Sequence, residues 1–390
     1  MQNKVKNIIV TAVFTLFIAF LTVTCVICGF NPVAMSESER RPLAQFPSDI
    51  SWESIKDKTA IEGFEDFSVD QFPFREFFRG IKARFQMNVL GLKENNGLAV
   101  EDGYIVKVES NFNSGFVNNS IDILAHILDT YFKEGSGDKF VSVIPDKNYY
   151  FSKDYGYASP DYDKLVADIR EALKDTEYID LFDSLELEDY YKTDTHWDQS
   201  KILDALQTLA AGLGVSEYLS GNYQENVIEG DFHGVYHGQS ALNPTPDKIT
   251  YLTNAAIDAV RLYNYKYENG MKIEEVPMYN LDLFDGEDGY NVFLSGAAGN
   301  PVMRIVNNKC ENKDTLIVFR DSFGSSILPL LSEAYRTIYV IDIRSIDYNI
   351  TSGWNGLYEC IPAKVFEEAD VLFLYSTLIF NSNSFMPIKK

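Results

Sequence analysis

The sequence predicts an α/β fold with a mostly parallel sheet, preceded by one N-terminal transmembrane helix. From about residue 111 onward, short apolar runs of strand type alternate with amphipathic stretches of helical spacing, a pattern typical of parallel sheets. Near the N-terminus, residues 8–30 form an uncharged run long enough to cross a bilayer as a helix. The 46% of hydrophobic and 14% of aromatic residues indicate a folded chain rather than a disordered one.

The N-terminal apolar run predicts a membrane anchor. Lys4 and Lys6 precede it, which favours a cytoplasmic N-terminus and an extracytoplasmic body. A cleaved signal peptide is the alternative, but the run is longer than a usual signal core, and Ala34-Met35-Ser36 is a mediocre cleavage site. We therefore expect a single-pass protein of the cell membrane that is held through residues 8–30.

Residues 31–110 are expected to form a tether followed by a helical and hairpin region packed on the body. The chain is polar and proline-containing up to about residue 58. Aromatic and aliphatic residues then recur at helical spacing between residues 60 and 89, and Pro73 divides them into two helical pieces. Asn95-Asn96-Gly97 and Asp102-Gly103 are turn signals of a short hairpin.

Residues 111–390 are expected to form the main domain, with an irregular, partly β insertion at about 215–310. The insertion is rich in Asn, Gly, Tyr and Asp and has only short alternating pieces. The predicted elements are helices at 120–132, 162–173 and 202–213 and after Ser322, and strands at 139–144, 178–182, 315–319, 337–343 and 371–375.

Charge and cysteine content exclude some classes of function. A formal net charge of -23 argues against binding of nucleic acid or anionic lipid through the body of the protein. Outside the apolar run only Cys310 and Cys360 remain, either as a disulfide or as two thiols. No C-x-x-C pair occurs there, so a structural zinc site is not expected.

Two short stretches supply the groups of a nucleophilic triad. Asp194-Thr195-His196-Trp197 places a carboxylate two residues before an imidazole, so one loop can present both. Asp321-Ser322-Phe323-Gly324 follows the predicted strand 315–319, so Ser322 lies where a strand ends and a helix begins. A Ser hydroxyl becomes a nucleophile when an imidazole accepts its proton, and a carboxylate orients that imidazole. The backbone amides of Ser322 and Phe323 are candidates for the oxyanion hole.

Each motif also has a plain structural interpretation. Asp-x-His occurs in many surface loops, and Asp-Ser is a common helix N-cap. The strand-then-helix context of Ser322 favours the triad.

Other candidates surround these motifs. The stretch Asp231-Phe-His-Gly-Val-Tyr-His-Gly238 carries two His and one Asp, but its two glycines argue against a helical metal-ligand pair. A glycine-rich loop lining the cleft, with Gly238 among the oxyanion or cleft candidates, is the preferred interpretation. Arg344 and Tyr375 are further cleft candidates, with core packing as the alternative for Tyr375. We predict no metal.

The motifs carry a resemblance to the DHHW proteins of Gram-positive bacteria and to the SGNH-hydrolase-like domain of alginate O-acetyltransferases of the AlgX/AlgJ kind. The resembling stretches include Tyr190-Tyr-Lys-Thr-Asp-Thr-His-Trp197, Tyr290-Asn-Val-Phe-Leu294 and Arg320-Asp-Ser-Phe-Gly324. Thr195 stands where DHHW proteins have a second His, whereas the acetyltransferases have Thr at this position. Arg320 stands where many DHHW proteins have Lys.

The resemblance implies an SGNH hydrolase-like (flavodoxin-like) fold with permuted motif order and a triad of Asp194, His196 and Ser322. It implies O-acylation of a cell-surface polysaccharide without a soluble cofactor, with acetyl as the expected acyl group. The acyl donor would come from a membrane acyltransferase of the MBOAT type. A carbohydrate esterase with the same triad and a non-catalytic envelope scaffold that binds glycan are the alternatives.

Overall fold

The computed structural model describes residues 2–242, 244–267, 271–296, 300–312, 314–345 and 357–382. The chain divides into two units, one made of residues 1–96 and 235–244 and the other of residues 97–234 and 245–390. The described helices are α1 Gln2–Phe30, α2 Trp52–Lys56, α3 Thr59–Asp70, α4 Arg75–Arg84, α5 Ser114–Tyr131, α6 Lys147–Tyr155, α7 Tyr162–Ala172, α8 Leu203–Gly212, α9 Val235–Ser240, α10 Gly324–Leu331, α11 Leu357–Cys360, α12 Ala363–Glu368 and α13 Thr377–Phe380. The described strands are β1 Met35–Ser36, β2 Arg41–Pro42, β3 Glu94–Asn95, β4 Leu98–Glu101, β5 Tyr104–Lys107, β6 Lys139–Ile144, β7 Glu177–Asp180, β8 Gln224–Val227, β9 Thr250–Thr253, β10 Arg261–Tyr267, β11 Met271–Val276, β12 Val302–Val306, β13 Thr315–Arg320, β14 Thr337–Ile341 and β15 Asp370–Ser376.

The first unit contains a helix that is long and apolar enough to cross a membrane. Within α1, residues 4–30 have a mean hydropathy of 2.5 and none of this stretch is buried. Length and composition thus agree with the predicted apolar helix.

The predicted tether contains little regular structure. It has the antiparallel pair β1–β2 and the short helix α2, whose N-terminus is capped by Ser51 in a capping box with Ser54.

The aromatic stripe of residues 60–89 forms α3, α4 and a π-helical turn at Phe85–Val89. Two helical pieces are present as predicted, and Pro73 lies between them. The side chains differ from the expectation of a packed stripe, because Phe67 is buried whereas Phe64, Phe77 and Phe85 are exposed.

The second unit is built on an eight-stranded sheet with the order β11-β10-β12-β14-β13-β15-β6-β7. The five strands from β14 to β7 are parallel, whereas β12, β10 and β11 are added antiparallel at one edge. The prediction of an α/β fold with a mostly parallel sheet is confirmed. Alternation of strands and helices along the chain produces this order, since each parallel pair needs a crossover connection.

Both faces of the sheet are covered, which explains why its central strands are apolar runs. In β13, Leu316 and Val318 point to one apolar cluster together with Leu206 of α8, and Ile317 and Phe319 point to the opposite cluster. The second cluster also includes apolar residues of α5 and α12. A strand buried on both faces needs apolar side chains at every position.

The predicted insertion at 215–310 is more regular than expected. It contributes the hairpin β8–β9 and the three antiparallel strands that extend the main sheet. In β10, Leu262 is buried while Tyr263 is half-buried, the period of two of a strand with unequal faces. Because polar and aromatic residues alternate in this way, the bounds of the individual strands could not be predicted from the sequence.

Cys310 and Cys360 are free thiols and do not form a disulfide. All four cysteines are unpaired, and the buried Cys310 donates its thiol hydrogen to the carbonyl oxygen of Glu333 over 3.1 Å.

Candidate active site

The turn after β13 is held by the carboxylate of Asp321. One of its oxygens accepts hydrogen bonds from the amide of Ser376 at 2.8 Å and from its hydroxyl at 2.5 Å. The other accepts the amide of Phe323 at 3.0 Å. Because Ser376 ends the neighbouring strand β15, Asp321 ties the turn of Ser322 to the carboxyl edge of the sheet.

Close packing requires the glycine that follows this turn. A Cβ atom at Gly324 would lie 2.9 Å from the Cβ of Arg320, whose side chain runs under the first turn of α10. The Arg320 guanidinium is fully buried and donates to the carbonyl of Asp321 at 3.2 Å, with Asp342 3.7 Å away. The Arg-Asp-Ser-Phe-Gly sequence is therefore a packing unit that presents Ser322.

The second motif lies in the loop between β7 and α8. Asp194 Oδ1 accepts both the backbone amide of His196 at 3.0 Å and a hydrogen bond from its ring Nδ1 at 2.6 Å. A bridge between Tyr190 and Trp197 closes the ends of this loop. Two residues of spacing are enough for the carboxylate to fix both the backbone and the imidazole.

The two motifs meet through His196. Its Nε2 lies 2.7 Å from Ser322 Oγ, so Asp194, His196 and Ser322 form one hydrogen-bonded chain. Asp194 and His196 are buried, whereas Ser322 is half-buried at the surface end. With Nδ1–H donated to Asp194, the neutral imidazole has Nε2 free to accept the Ser322 proton. This is the geometry that a serine nucleophile with a general base requires.

The part of the chain that carries these residues also matches the model of a known protein family. The model of the family described as DHHW protein matches residues 171–341, a range that contains the whole triad. The resemblance to the DHHW family is confirmed.

Solved structures share the fold of this chain. A DHHW family protein from Eubacterium siraeum is 22% identical with a TM-score of 0.59, and the match covers 76% of this chain and 96% of that one. Bacillus cereus PatB1 is 16% identical with a TM-score of 0.55, covering 75% and 100% of the two chains. A second PatB1 structure, with a sulfonyl adduct, gives a TM-score of 0.53. A search of the curated proteins found no match.

An aromatic residue absent from the predicted site supports the imidazole. The ring of Tyr290 stacks on His196 with centroids 3.9 Å apart and planes 5° from parallel. Its hydroxyl lies 2.9 Å from Ser326 Oγ, which also accepts the indole N–H of Trp197 at 2.8 Å. The stretch 290–294 is part of the DHHW resemblance, so the sequence singled out Tyr290 but did not indicate that its ring stacks on His196.

A buried lysine holds the Asp194 loop from beneath. The Nζ of Lys147 donates to the carbonyl oxygens of Tyr191, Lys192 and Asp194 at 2.8, 3.2 and 2.6 Å. Burial lowers the pKa of Lys147 to about 7, and the negative charges of Asp194 and Asp247 oppose that shift. Nothing in the local sequence after β6 predicts this contact, because it joins residues more than forty positions apart.

A third element packs on the same loop. Asp247 accepts hydrogen bonds from the amides of Lys192 and Thr193 and from the Thr193 hydroxyl, the last at 2.6 Å. The amide of Gly234 donates to Thr193 Oγ1 at 3.1 Å. Gly234 is required here, since a Cβ atom would lie 2.5 Å from the Cα of Asp194.

The oxyanion candidates at the Ser322 turn differ from each other. The Phe323 amide is already donated to Asp321, so it is not free in this conformation, contrary to the expectation. The Ser322 amide has no acceptor among the described residues and remains available. The Phe323 ring instead flanks His196, with centroids 5.0 Å apart.

The remaining cleft candidates have structural contacts of their own. Arg344 makes a two-point hydrogen bond to Asp342 at 2.8 and 2.6 Å. Tyr375 is fully buried in β15, and burial raises its pKa well above the usual range of a phenol. Gly238 belongs to the first unit, where α9 packs on Ser38, and its role at the cleft stays a prediction.

The histidine-rich stretch shows no metal cluster. Asp231 pairs with Lys248 at 2.8 Å, and His237 Nε2 lies 3.1 Å from the carbonyl of Pro244. Across the described ranges, no group of three His, Cys, Asp or Glu side chains could hold a metal ion.

Replacing Gly234 by Ala should disturb the site without touching a triad side chain. The added methyl would clash with the backbone of Thr193 and Asp194, which must move. Because small misplacements at a reacting centre are costly, labelling of Ser322 by a sulfonyl fluoride should slow by on the order of 10²-fold. Mass spectrometry of the labelled peptide measures this rate. Unchanged labelling in Gly234→Ala would show that the close approach does not position Asp194.

The lowered pKa of Lys147 predicts a pH-dependent stability. Between about pH 7 and the ordinary lysine value the unfolded chain binds this proton and the folded protein does not, so stability rises with pH. The free energy of unfolding of the wild type, relative to Lys147→Met, should increase by up to about 1.4 kcal/mol per pH unit in this window. Urea unfolding of both proteins from pH 6 to pH 9 gives the difference, and a flat difference would contradict the shift.

Proposed function

We propose that this chain is a membrane-anchored, extracytoplasmic O-acyltransferase that transfers an acetyl group to hydroxyls of a cell-surface polysaccharide. The observation that carries the proposal is the hydrogen-bonded chain Asp194–His196–Ser322, with contacts of 2.6 and 2.7 Å. Its triad roles follow from the chemistry of these groups, and the acetyl and sugar specificity follow from the motif resemblance to alginate O-acetyltransferases.

The first half-reaction acylates Ser322. His196 Nε2 accepts the hydroxyl proton while Ser322 Oγ attacks the carbonyl carbon of the donor ester. The negative charge that develops on the carbonyl oxygen faces the free amide of Ser322, which is available at the turn into α10. The donor's C–O bond then breaks, its oxygen takes the proton from His196, and an acetyl-serine remains.

The second half-reaction returns the enzyme to its resting form. A sugar hydroxyl gives its proton to His196 and attacks the acetyl carbon, and the Ser322 Oγ that leaves recovers the proton. Asp194 stabilises the imidazolium in both halves and keeps Nε2 directed at Ser322. If water replaces the sugar, the same steps release acetate, so the choice between transferase and esterase depends on the acceptor.

The membrane context belongs to the same proposal. The apolar helix α1 would anchor the protein through residues 8–30, and the two preceding lysines favour a body outside the cytoplasm. A membrane acyltransferase of the MBOAT type would then supply the acetyl group from the cytoplasmic side. The SGNH-like fold with permuted motif order is proposed on the same resemblance, with Asp and His preceding Ser along the chain.

An activated acetyl ester tests the proposal. Incubation with the full chain should add one acetyl mass to the peptide that contains Ser322, because the base activates this hydroxyl. The label should form at least ~10³-fold more slowly in His196→Ala, since removal of a triad member has effects of this size. Asp194→Asn should also be slow, because the amide no longer fixes the required imidazole tautomer.

Ser325→Ala is a matched control, since Ser325 lies three residues further on in α10 and outside the triad. It should label at the wild-type rate. Adding an oligosaccharide acceptor should speed loss of the label and yield acetylated sugar, whereas an esterase would release acetate alone. A Ser322→Ala variant that turns over the ester as fast as the wild type would overturn the proposed nucleophile.

A further inference from the structure

The helix α4 and the start of the π-helical turn after it carry an exposed apolar stripe, called here the α4 stripe, that nothing in the proposed chemistry uses. Phe77, Ile81 and Phe85 recur every four residues on one side, with exposures of 64%, 47% and 51%. Several further large apolar side chains of the first unit are also exposed. These are Phe46, Phe64, Val69, Phe74, Val89, Leu90 and Leu92. So many exposed large apolar side chains would be costly on a water-soluble domain, so they indicate a contact with another phase or molecule.

The opposite side of α4 is polar and its charges are paired. Arg75 and Arg79 both reach Glu39, and Arg79 also pairs with Glu76 at 2.7 Å. Asp70, at the end of α3, pairs with Arg41 at 2.6 Å. A helix with a strongly apolar face and a basic polar face is the form that lies in a membrane interface.

The point at which this surface contacts α1 indicates whether it lies in water or in lipid. The rings of Phe20 and Phe74 stack with centroids 6.1 Å apart, so the corner between α3 and α4 touches α1 at Phe20. About 20 helical residues cross the hydrocarbon core, and every such window within residues 8–30 includes Phe20 well inside its ends. At 1.5 Å per residue, Phe20 lies about 15 Å along α1 from Phe30. Phe74 must therefore lie below the membrane surface when α1 spans the bilayer.

A groove beside α1 fits the same environment. It has a volume of about 690 Å³ and is lined by Cys25, Val26 and Gly29 of α1 and by Phe64 and Phe67 of α3. Its walls are mostly apolar. Hydrocarbon chains are the ligand that such a lining accepts at least cost, because it offers few hydrogen-bonding groups.

We propose that the corner between α3 and α4 and the apolar face of α4 are immersed in the lipid bilayer beside α1, in contact with lipid acyl chains. The inference rests on the proposed anchoring by α1 and is independent of the acyl-transfer chemistry. The first unit is then a membrane-seated element with two attachments, α1 and α4, rather than a flexible tether. Two attachments fix the first unit at the membrane surface, whereas one helix would leave it free to swing.

Tryptophan reporters in the full-length chain test this depth. Trp52, which is exposed, is replaced by Phe to lower the background fluorescence, and one reporter is then added in each variant. The protein is reconstituted in phosphatidylcholine vesicles with or without bromine atoms on the acyl chains, which quench indole fluorescence only at short range. Phe77→Trp reports on the α4 stripe, Phe17→Trp on the centre of α1, and Glu76→Trp on the side of α4 that carries the paired charges.

The expected result is that Phe77→Trp and Phe17→Trp each lose about half or more of the added fluorescence in brominated lipid, since both lie within the hydrocarbon region. Glu76→Trp should lose far less. Equal weak quenching of Phe77→Trp and Glu76→Trp, with Phe17→Trp quenched, would overturn the inference while the anchor stands, and would favour a protein partner on this surface. Absence of quenching in Phe17→Trp would overturn the anchor and this inference together, without bearing on the Ser322 labelling.

Discussion

The hydrogen bond between His196 Nε2 and Ser322 Oγ is the interaction on which the candidate active site depends. It joins two loops that are 126 residues apart in the chain, and its length of 2.7 Å leaves no room for a water molecule between them. Each loop is held independently before they meet. Asp321 attaches the serine turn to β15 through Ser376, and Lys147, Asp247 and the close-packed Gly234 fix the loop of Asp194.

Buried charge is the physical feature that these supports share. Lys147 and Arg320 are almost fully excluded from water. Lys147 donates to three carbonyl oxygens, whereas Arg320 donates to the carbonyl oxygen of Asp321 and lies 3.7 Å from the carboxylate of Asp342. Burial of a charged group without partners would cost several kcal/mol, so such residues fix the surrounding backbone strongly. A site built this way holds its geometry without a ligand, which is what electrostatic catalysis by fixed groups requires.

The sequence predicted those features that depend on local pattern. Apolar runs identified β6, β13, β14 and β15, and the position of Ser322 after a strand followed from them. Lys147 and Tyr290 could not be assigned, because their partners lie 47 and 94 positions away in the chain and come together only through the fold. The insertion was predicted as irregular and partly β, but its individual strands were not located, because their residues alternate between polar and aromatic types. The exposure of the α4 stripe was not predicted, because helical spacing of apolar residues does not show whether a helix face is buried or exposed.

A crystal structure of the protein after reaction with a sulfonyl fluoride would test the triad directly. We expect one adduct with its sulfur bonded to Ser322 Oγ, one sulfonyl oxygen within hydrogen-bonding distance of the Ser322 amide, and His196 still bonded to Asp194. An adduct on another residue, or an unmodified Ser322 with His196 turned away from it, would show that Ser322 is not activated by His196.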